Sequence, residues 1–234
     1  MCKSLSVYRI VSVILICMER GVTFSVGEFY HIYNRGVDKR AIFLSRDDYR
    51  RFIRLLFCAN SEKAFVYRDI KDIPFSKIVR TKPLVAIGAW VLMPNHFHLL
   101  VREVEESGIS RFMEKLLTAY SAYFNKRYGR VGSLFQGRFA AQHSDTEEYL
   151  KYLFAYIHLN PVKLIEPDWK EVGIKDFAQT KRFITDYAYS SFSDYLHDER
   201  EESGILTKKE FPEYFLNNKD FTDFIFDWLK DKNT

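Results

Sequence analysis

Apolar and polar residues alternate along several short stretches of the chain, which is the pattern of strands with one buried face. The pattern predicts four strands, over residues 27–36, 84–92, 96–104 and 133–144. In the first strand, Phe29, His31 and Tyr33 share one face. The dipeptide Pro94-Asn95 lies between the second and third strands and favours a turn.

Apolar residues at helical spacing predict four helices, over residues 45–61, 110–128, 146–160 and 221–230. Ser45 is a suitable N-cap for the first helix, and acidic residues follow it in the first turn. Gly129 is placed to end the second helix. Asp145 or Thr146 is placed to cap the third, and Pro161 ends it because proline cannot continue a helix.

The order of these elements is strand, helix, strand, strand, helix, strand, helix. This order predicts an α+β fold with a ferredoxin-like split βαβ core and an antiparallel sheet. After Pro161 the pattern weakens. Residues 166–234 are therefore predicted to form a separate, mainly helical C-terminal extension.

The charge is distributed unevenly along the chain, although the net charge is only +4. Residues 1–165 carry a net charge of +10, and residues 166–234 carry −6. A basic body favours a polyanionic partner, and a bias toward solubility would explain the charge equally well. Packing of the acidic extension over a basic groove would compete with such a partner, which is a hypothesis at this point.

The start of the chain contains an apolar run over residues 10–18. It is shorter than the roughly 20 residues that a membrane-spanning helix needs. Glu19 and Arg20 follow it where a signal peptide would have a cleavage site. Residues 1–20 are predicted to be a start-site extension, with Met18 as the start, or a non-core segment such as a short buried strand or helix.

The cysteines and the same apolar run indicate the cellular compartment of the protein. The three cysteines, Cys2, Cys17 and Cys58, are scattered and odd in number, so they favour a reducing compartment over a disulfide framework. Together these features predict a cytoplasmic protein with no membrane partner.

Candidate chemistry begins with His96-Phe97-His98 in the third strand. Residues i and i+2 of a strand share a face, so both imidazoles point the same way and Phe97 points into the core. A lone His-x-His is often just a pair of polar strand residues. Here the pair adjoins the apolar run Leu99-Leu100-Val101 and follows a turn. Since neutral imidazole is a common metal ligand, the pair is a candidate metal site.

The third predicted helix adds a stripe of polar aromatic residues. Tyr149, Tyr152, Tyr156 and Asn160 lie on one face at spacings of three, four and four. Such a stripe is usually core, but Asn160 needs partners if it is buried. Its amide could complete a metal site with two imidazoles. A tyrosine one turn away could then act as a nucleophile, if a metal, base or cation activates it.

These segments resemble the single-tyrosine transposases of the His-hydrophobic-His superfamily. The resemblance lies in MPNHFHLLV (residues 93–101), GSLFQGRF (132–139) and YIHLNPV (156–162). YHIYNRGVDKRAIF (30–43) and YSSFSDYL (189–196) are similar to the branch associated with repetitive extragenic palindromes. The resemblance places a catalytic core over residues 21–165.

The resemblance implies a role for each matching residue. His96, His98 and Asn160 match the ligands of a divalent metal, Mg²⁺ or Mn²⁺, and Tyr156 matches the nucleophile that attacks a DNA phosphate. The implied reaction cuts single-stranded hairpin DNA through a 5′-phosphotyrosine intermediate and then rejoins it. Relatives work as monomers or as homodimers, so both states remain open.

Basic residues near these motifs are candidates for holding the DNA strand. The predicted contacts are Arg35, Lys126, Arg127, Arg130 and Arg138. Arg138 is the preferred phosphate contact because it follows Gly137 in an aromatic strand.

Two other functions remain open from the sequence. A metal-dependent nuclease would use the same metal to activate water, although no cluster of carboxylates accompanies the histidines. A relative that binds hairpins without cutting them is the second alternative.

Overall fold

A four-stranded antiparallel sheet forms the centre of the computed structural model, which describes residues 22–197 and 200–230. The N-terminal segment predicted over residues 1–20 lies outside this range. The strands are β1 (Phe29–Arg35), β2 (Val85–Met93), β3 (His96–Glu103) and β4 (Ala140–Ser144). They lie in the order β2-β3-β1-β4, and every neighbouring pair is antiparallel.

The strand order confirms the predicted ferredoxin-like core. β1 and β2 are parallel to each other, but β3 lies between them and pairs with both. The helix that connects β1 to β2 therefore completes a split βαβ unit.

The helices lie on both sides of this sheet. They are α1 (Arg46–Ala59), α2 (Tyr67–Ile70), α3 (Gly108–Arg127), α4 (Glu147–Leu159), α5 (Trp169–Val172), α6 (Phe177–Asp186), α7 (Phe192–Leu196) and α8 (Asn218–Lys230). A 3₁₀ helix, Asn160–Leu164, continues directly from α4. Thr146 caps α4 by accepting a hydrogen bond from the backbone N–H of Tyr149, as the sequence predicts.

The first face of the sheet carries α1 and α3 over a continuous apolar core. Phe97, Leu99 and Val101 of β3 belong to this core together with Phe52 of α1 and Phe112 of α3, and all five side chains are fully buried. Alternation along the strand thus directs the odd-numbered residues of β3 to this face.

The second face carries α4, the helix with the tyrosine stripe. Leu100 of β3 and Val91 of β2 pack against Leu153 and Ile157 of α4. The even-numbered residues of β3, including both candidate histidines, therefore face α4.

The C-terminal extension packs against α4 and the outer edge of β2. Ala155 and Leu159 of α4 contact an apolar cluster that includes Trp169, Phe192 and Phe221. On the sheet edge, the backbone N–H of Leu92 donates to the carbonyl of Tyr189 at 2.9 Å, and that of Thr207 donates to the carbonyl of Ile87 at 2.9 Å. These bonds make the extension a cover for the edge strand.

The fourth strand is shorter than the sequence predicts. Strand pairing covers Ala140–Ser144, whereas residues 133–139 form turns and bends that bridge to Gly36 through Phe135. Gly137 adopts a φ of +80°, which no strand can continue through, and the Asn34 amide binds the carbonyl of Arg138. The prediction that Arg138 lies inside a strand is therefore wrong.

Candidate active site

The two candidate metal-binding histidines lie side by side on the α4 face of β3. The rings of His96 and His98 have centroids 5.0 Å apart and cross at 85°. His98 is 6% exposed, His96 is partly exposed, and Phe97 between them is fully buried on the other face. The predicted alternation of this strand is confirmed.

Each of these imidazoles has its Nδ1 atom engaged by a neighbour. Nδ1 of His96 lies 2.6 Å from Oδ1 of Asn95. Nδ1 of His98 lies 2.9 Å from Nε2 of His31, which projects from the neighbouring strand β1. This leaves Nε2 of His96 and Nε2 of His98 as the nitrogens that can bind a ligand.

Tyr156 lies directly against this histidine group. Its ring centroid is 5.3 Å from that of His98 and 5.6 Å from that of His31. The ring of Tyr152, one turn earlier on α4, is 5.7 Å from Tyr156. The helical stripe predicted from spacing therefore runs along one face and reaches the histidines.

Asn160 completes the group one turn beyond Tyr156. It is 2% exposed, and neither amide atom has a hydrogen-bond partner of ordinary geometry among the described residues. The Asn160 amide nevertheless lies close to both His96 and Tyr156. It partly offsets the pKa shifts that burial causes in these two side chains. A buried amide oxygen without a partner suits a metal ligand, because natural proteins seldom leave such an atom unsatisfied.

Burial keeps both candidate ligands neutral. Desolvation lowers the pKa of His96 to about 4, with Asn160 opposing the shift and Lys163 and Arg35 adding to it. Desolvation also lowers the pKa of His98 well below its ordinary value, and the neighbouring histidines add to that shift. Neutral imidazole is the form that binds metals.

These residues fit a divalent metal held by two imidazoles and an amide oxygen. Across residues 22–197 and 200–230, no three His, Cys, Asp or Glu side chains form a cluster that could hold a metal ion. A metal at this position therefore depends on Asn160 as the third protein ligand.

Burial shifts Tyr156 in the direction that keeps its hydroxyl protonated. Desolvation raises its pKa, Asn160 opposes this shift, and Tyr33 adds to it. Since the reference pKa of tyrosine is already about 10, the hydroxyl needs nearby positive charge to lose its proton in the neutral range.

Two lysines that the sequence analysis did not select supply positive charge here. Nζ of Lys170 lies 4.8 Å from the centre of the Tyr156 ring. Lys163, in the 3₁₀ helix after α4, is close enough to lower the pKa values of both His96 and His98. Burial lowers the pKa of Lys163 itself, with Glu171 opposing the shift. Periodicity gave no signal for either lysine because both follow Pro161.

The basic residues that the sequence analysis did select divide into two groups. Arg35 pairs in register with His96, and its Nε donates to Gln136 at 2.5 Å. Arg138 is exposed in the bend before β4. Lys126 and Arg127 lie at the end of α3, and Arg130 lies just beyond it, so this group belongs to the helix that packs on the opposite face of the sheet.

Tyr123 of α3 and the histidines His143 and His158 have partners away from this site. The Tyr123 hydroxyl donates to Asp48 at 2.8 Å and accepts from Arg127 at 2.8 Å. His143 lies 2.8 Å from a carboxylate oxygen of Glu28. His158 is fully buried and bonds the Phe154 carbonyl and the Ser191 hydroxyl, so it joins α4 to the extension.

Comparison with known proteins bears directly on this site. The family model for IS200-like transposases matches residues 50–160. Over this range the chain is similar to IS200-like transposases. The matched range contains His96, His98, Tyr156 and Asn160, so the resemblance seen in the sequence is confirmed.

Two further comparisons complete this picture. No curated protein matches this chain. A solved structure, that of a REP-associated tyrosine transposase bound to a REP hairpin, is 18% identical to it with a TM-score of 0.49. That alignment covers 76% of this chain and 85% of the other.

Three residues of the candidate site and the helices of the chain complete its surroundings. His31, Lys163 and Lys170 contribute to the site but lie outside the matched range. In the described part of the chain, none of the helices combines the length and the apolar character that crossing a membrane requires.

Proposed function

We propose that this transposase cuts and rejoins single-stranded hairpin DNA through a 5′-phosphotyrosine intermediate, in a metal-dependent reaction. The observation that supports the proposal is the convergence of four side chains from two distant segments. Tyr156 lies against His98, and Asn160 lies beside both Tyr156 and His96.

In the first step, the Tyr156 hydroxyl oxygen attacks the phosphorus of the scissile phosphodiester. The bond from phosphorus to the 3′ oxygen breaks, and that oxygen takes up a proton to become a free 3′-hydroxyl. The proton of the tyrosine hydroxyl is lost to solvent. In the second step, a 3′-hydroxyl attacks the phosphotyrosine and releases Tyr156. The covalent bond conserves the energy of the cleaved linkage, so rejoining needs no nucleotide cofactor.

His96, His98 and Asn160 would hold the divalent metal, Mg²⁺ or Mn²⁺. The ion would supply neutralising charge at the scissile phosphate. The chain's own contribution is to position Tyr156 through its packing between the histidines and Tyr152.

Lys163 and Lys170 contribute a second source of positive charge at the same place. A cation close to the tyrosine ring stabilises the ionised phenol, and the same charge attracts the DNA phosphate. Phosphoryl transfer depends mainly on such positioning and charge neutralisation.

The hairpin substrate and the palindrome-associated branch rest on sequence resemblance. Residues 30–43 include β1, which supplies His31, and residues 189–196 bond to the edge of β2. The first segment thus supplies a side chain of the candidate site, and the second contacts α4, because the Ser191 hydroxyl bonds His158. The chain acts on its DNA as a monomer or as a homodimer.

Hairpin oligonucleotides labelled at either end would test the proposal, in Mn²⁺ or Mg²⁺ and with EDTA as a blank. A 5′-phosphotyrosine retains the DNA on the 3′ side of the cut. The 3′ label should therefore stay with the protein on a denaturing gel, and the 5′-labelled fragment should be released with a free 3′-hydroxyl. The variants are Tyr156→Phe and His96→Ala, with Tyr152→Phe as the matched control on the same helix face.

The expected result is attachment in the wild type and in Tyr152→Phe, with loss in Tyr156→Phe, in His96→Ala and in EDTA. Cleavage without attachment, unchanged in Tyr156→Phe, would contradict the proposal and indicate a nuclease that uses water. Hairpin binding with neither cleavage nor attachment would indicate a binding protein without this chemistry.

A further inference from the structure

His31 is a buried histidine that reaches the candidate metal site from the neighbouring strand. It is fully buried, and its ring stacks on that of His98 with centroids 5.0 Å apart and planes inclined by 24°. Nε2 of His31 lies 2.9 Å from Nδ1 of His98, which is an ordinary hydrogen-bond distance. The two rings therefore share one hydrogen between these atoms.

His96, the neighbouring candidate ligand, shows how a hydrogen-bond partner determines which ring nitrogen carries the proton. The Asn95 amide nitrogen donates to the Lys39 carbonyl at 3.0 Å, so the amide oxygen must be the atom that faces His96. An oxygen only accepts, which requires the proton of His96 to lie on Nδ1. Nε2 of His96 is then unprotonated, and its lone pair can bind a metal.

For His98 the hydrogen could run in either direction, and only one direction suits metal binding. If His31 donates, neutral His98 carries its own proton on Nε2, and that nitrogen cannot act as a ligand. If His98 donates from Nδ1, its Nε2 is free to bind. Metal-binding histidines commonly donate their second N–H to a neighbouring group in this way.

We infer that His31 is a positioning residue that accepts the Nδ1–H of His98 and so fixes both the ring and the nitrogen that binds the metal. This inference rests on the metal site of the proposed function. His31 plays the part that a carboxylate or carbonyl often plays, but without adding charge. Its own Nδ1 has no partner among the described residues, so the contact to His98 is the polar contact that positions this ring.

Mn²⁺ affinity and imidazole NMR would test the inference without an activity assay. His31→Phe keeps the ring but removes the acceptor, and His31→Gln returns an amide oxygen near the position of Nε2. His143→Phe is the control, because His143 packs against Tyr30 on the other face of the sheet. Mn²⁺ binding would be measured by electron paramagnetic resonance on the full chain, with His96→Ala as the variant that lacks a ligand.

We expect His31→Phe to weaken Mn²⁺ binding by about 10- to 100-fold, as the loss of an outer-shell partner typically does. His31→Gln should recover most of the affinity, and His143→Phe should match the wild type. In ¹⁵N-histidine spectra of the wild type saturated with diamagnetic Mg²⁺, His98 should be protonated on Nδ1.

Wild-type Mn²⁺ affinity in a folded His31→Phe protein would overturn the inference and leave the metal site standing. Protonation of His98 on Nε2 in the Mg²⁺-saturated wild type would also overturn it, and this measurement needs no variant to fold. Failure of the wild type to bind Mn²⁺, with or without hairpin DNA, would overturn the inference together with the metal site. The attachment assay decides the tyrosine chemistry separately.

Discussion

The two faces of the central sheet are built from the same strands but differ in what they bury. On the α1 and α3 face, β3 contributes Phe97, Leu99 and Val101 to a continuous apolar core. On the α4 face, the same strand contributes His96 and His98, one residue out of phase. A two-residue period thus lets one strand support the fold with alternate residues and carry the candidate site with the others.

The second face gives its histidines partners, since His98 bonds His31 and His96 bonds Asn95. It leaves the buried Asn160 amide without a hydrogen-bond partner among the described residues. On the first face, by contrast, the buried Asp48 carboxylate accepts four hydrogen bonds. The first face therefore satisfies its buried charge, whereas the second keeps a buried amide oxygen that a ligand could satisfy.

Substitutions of adjacent residues in β3 should show the largest difference in effect between the two faces. Phe97→Ala should lower the free energy of unfolding by about 3–5 kcal/mol, because it removes a buried ring and leaves a cavity. His98→Ala should instead reduce covalent DNA attachment to the level seen in EDTA. Urea denaturation and the attachment assay measure the two effects.

If the two faces have separate roles, His98→Ala should remain folded and unfold in a cooperative urea transition. A loss of unfolding free energy in His98→Ala as large as that in Phe97→Ala would contradict the division of roles between the faces.

Asp48 offers a pH-dependent test of the fold-supporting face. Burial raises the pKa of its carboxyl, but hydrogen bonds from Tyr128, Leu44, Tyr123 and Ser45 outweigh burial and hold the pKa below its ordinary value. Asp48→Asn should lower the free energy of unfolding by about 2–3 kcal/mol at neutral pH, the range for bonds to a charged acceptor.

Because the folded-state pKa is depressed, this stabilisation is present above the unfolded pKa of about 3.9 and is lost as pH falls through the folded value. The unfolding free energies of both proteins from urea titrations should therefore begin to converge as pH falls below about 4. A constant difference between pH 7 and pH 3 would show that the carboxylate charge is not responsible. DNA attachment at neutral pH should be unchanged.

Substitution of the two lysines beside Tyr156 tests the α4 face, which carries the candidate site. Lys163→Gln and Lys170→Gln should each slow covalent attachment by about tenfold, the effect of losing one charge-assisted contact. Each should also reduce the dependence of hairpin affinity on log salt by about 0.7, the value for one phosphate of a single strand.

Lys126→Gln is the matched comparison, since Lys126 is exposed on α3. The sequence predicts that Lys126 contacts DNA, whereas the comparison of faces predicts that it does not affect attachment. An equal loss of attachment in Lys126→Gln and Lys170→Gln would show that DNA reaches both sides of the sheet.

Tyr123→Phe should give the smallest effect. Its hydroxyl donates to Asp48, so its removal should lower the free energy of unfolding by about 1 kcal/mol. Attachment should continue at the wild-type rate, in contrast to Tyr156→Phe. Loss of attachment in a stable Tyr123→Phe protein would reverse the assignment of the nucleophile.

The sequence predicted the elements whose signals are local. Strand alternation, a cap at Asp145 or Thr146 and the stop at Pro161 depend on neighbouring residues, and the structure confirms them with Thr146 as the cap. The prediction was wrong over residues 133–139, because their path depends on the distant Asn34 amide and on the positive φ of Gly137. The helices between residues 169 and 196 were not predicted individually, because α5 and α7 span only four and five residues and α6 buries only Thr180 and Ile184.

Residues of the candidate site could be predicted when they lie in short motifs. They were missed when their position depends on strand register. His31 pairs with Leu100, which makes His98 its diagonal neighbour on the same face. A single sequence does not reveal that register, so His31 was not among the predicted site residues. Arg127 read as a DNA contact because its partner Asp47 lies eighty positions away, on another helix.

The cover over β2 has a consequence for how copies of this chain meet. All nine residues of β2 are buried, and an uncovered strand of that composition would be a template for pairing with another molecule. Residues 189–191 and Thr207 occupy its outer backbone groups, and Phe211 sits where a side chain at Gly88 would clash, with a Cβ 2.6 Å from the ring. By occupying this edge, the extension blocks the strand pairing through which exposed β2 edges of two molecules could associate.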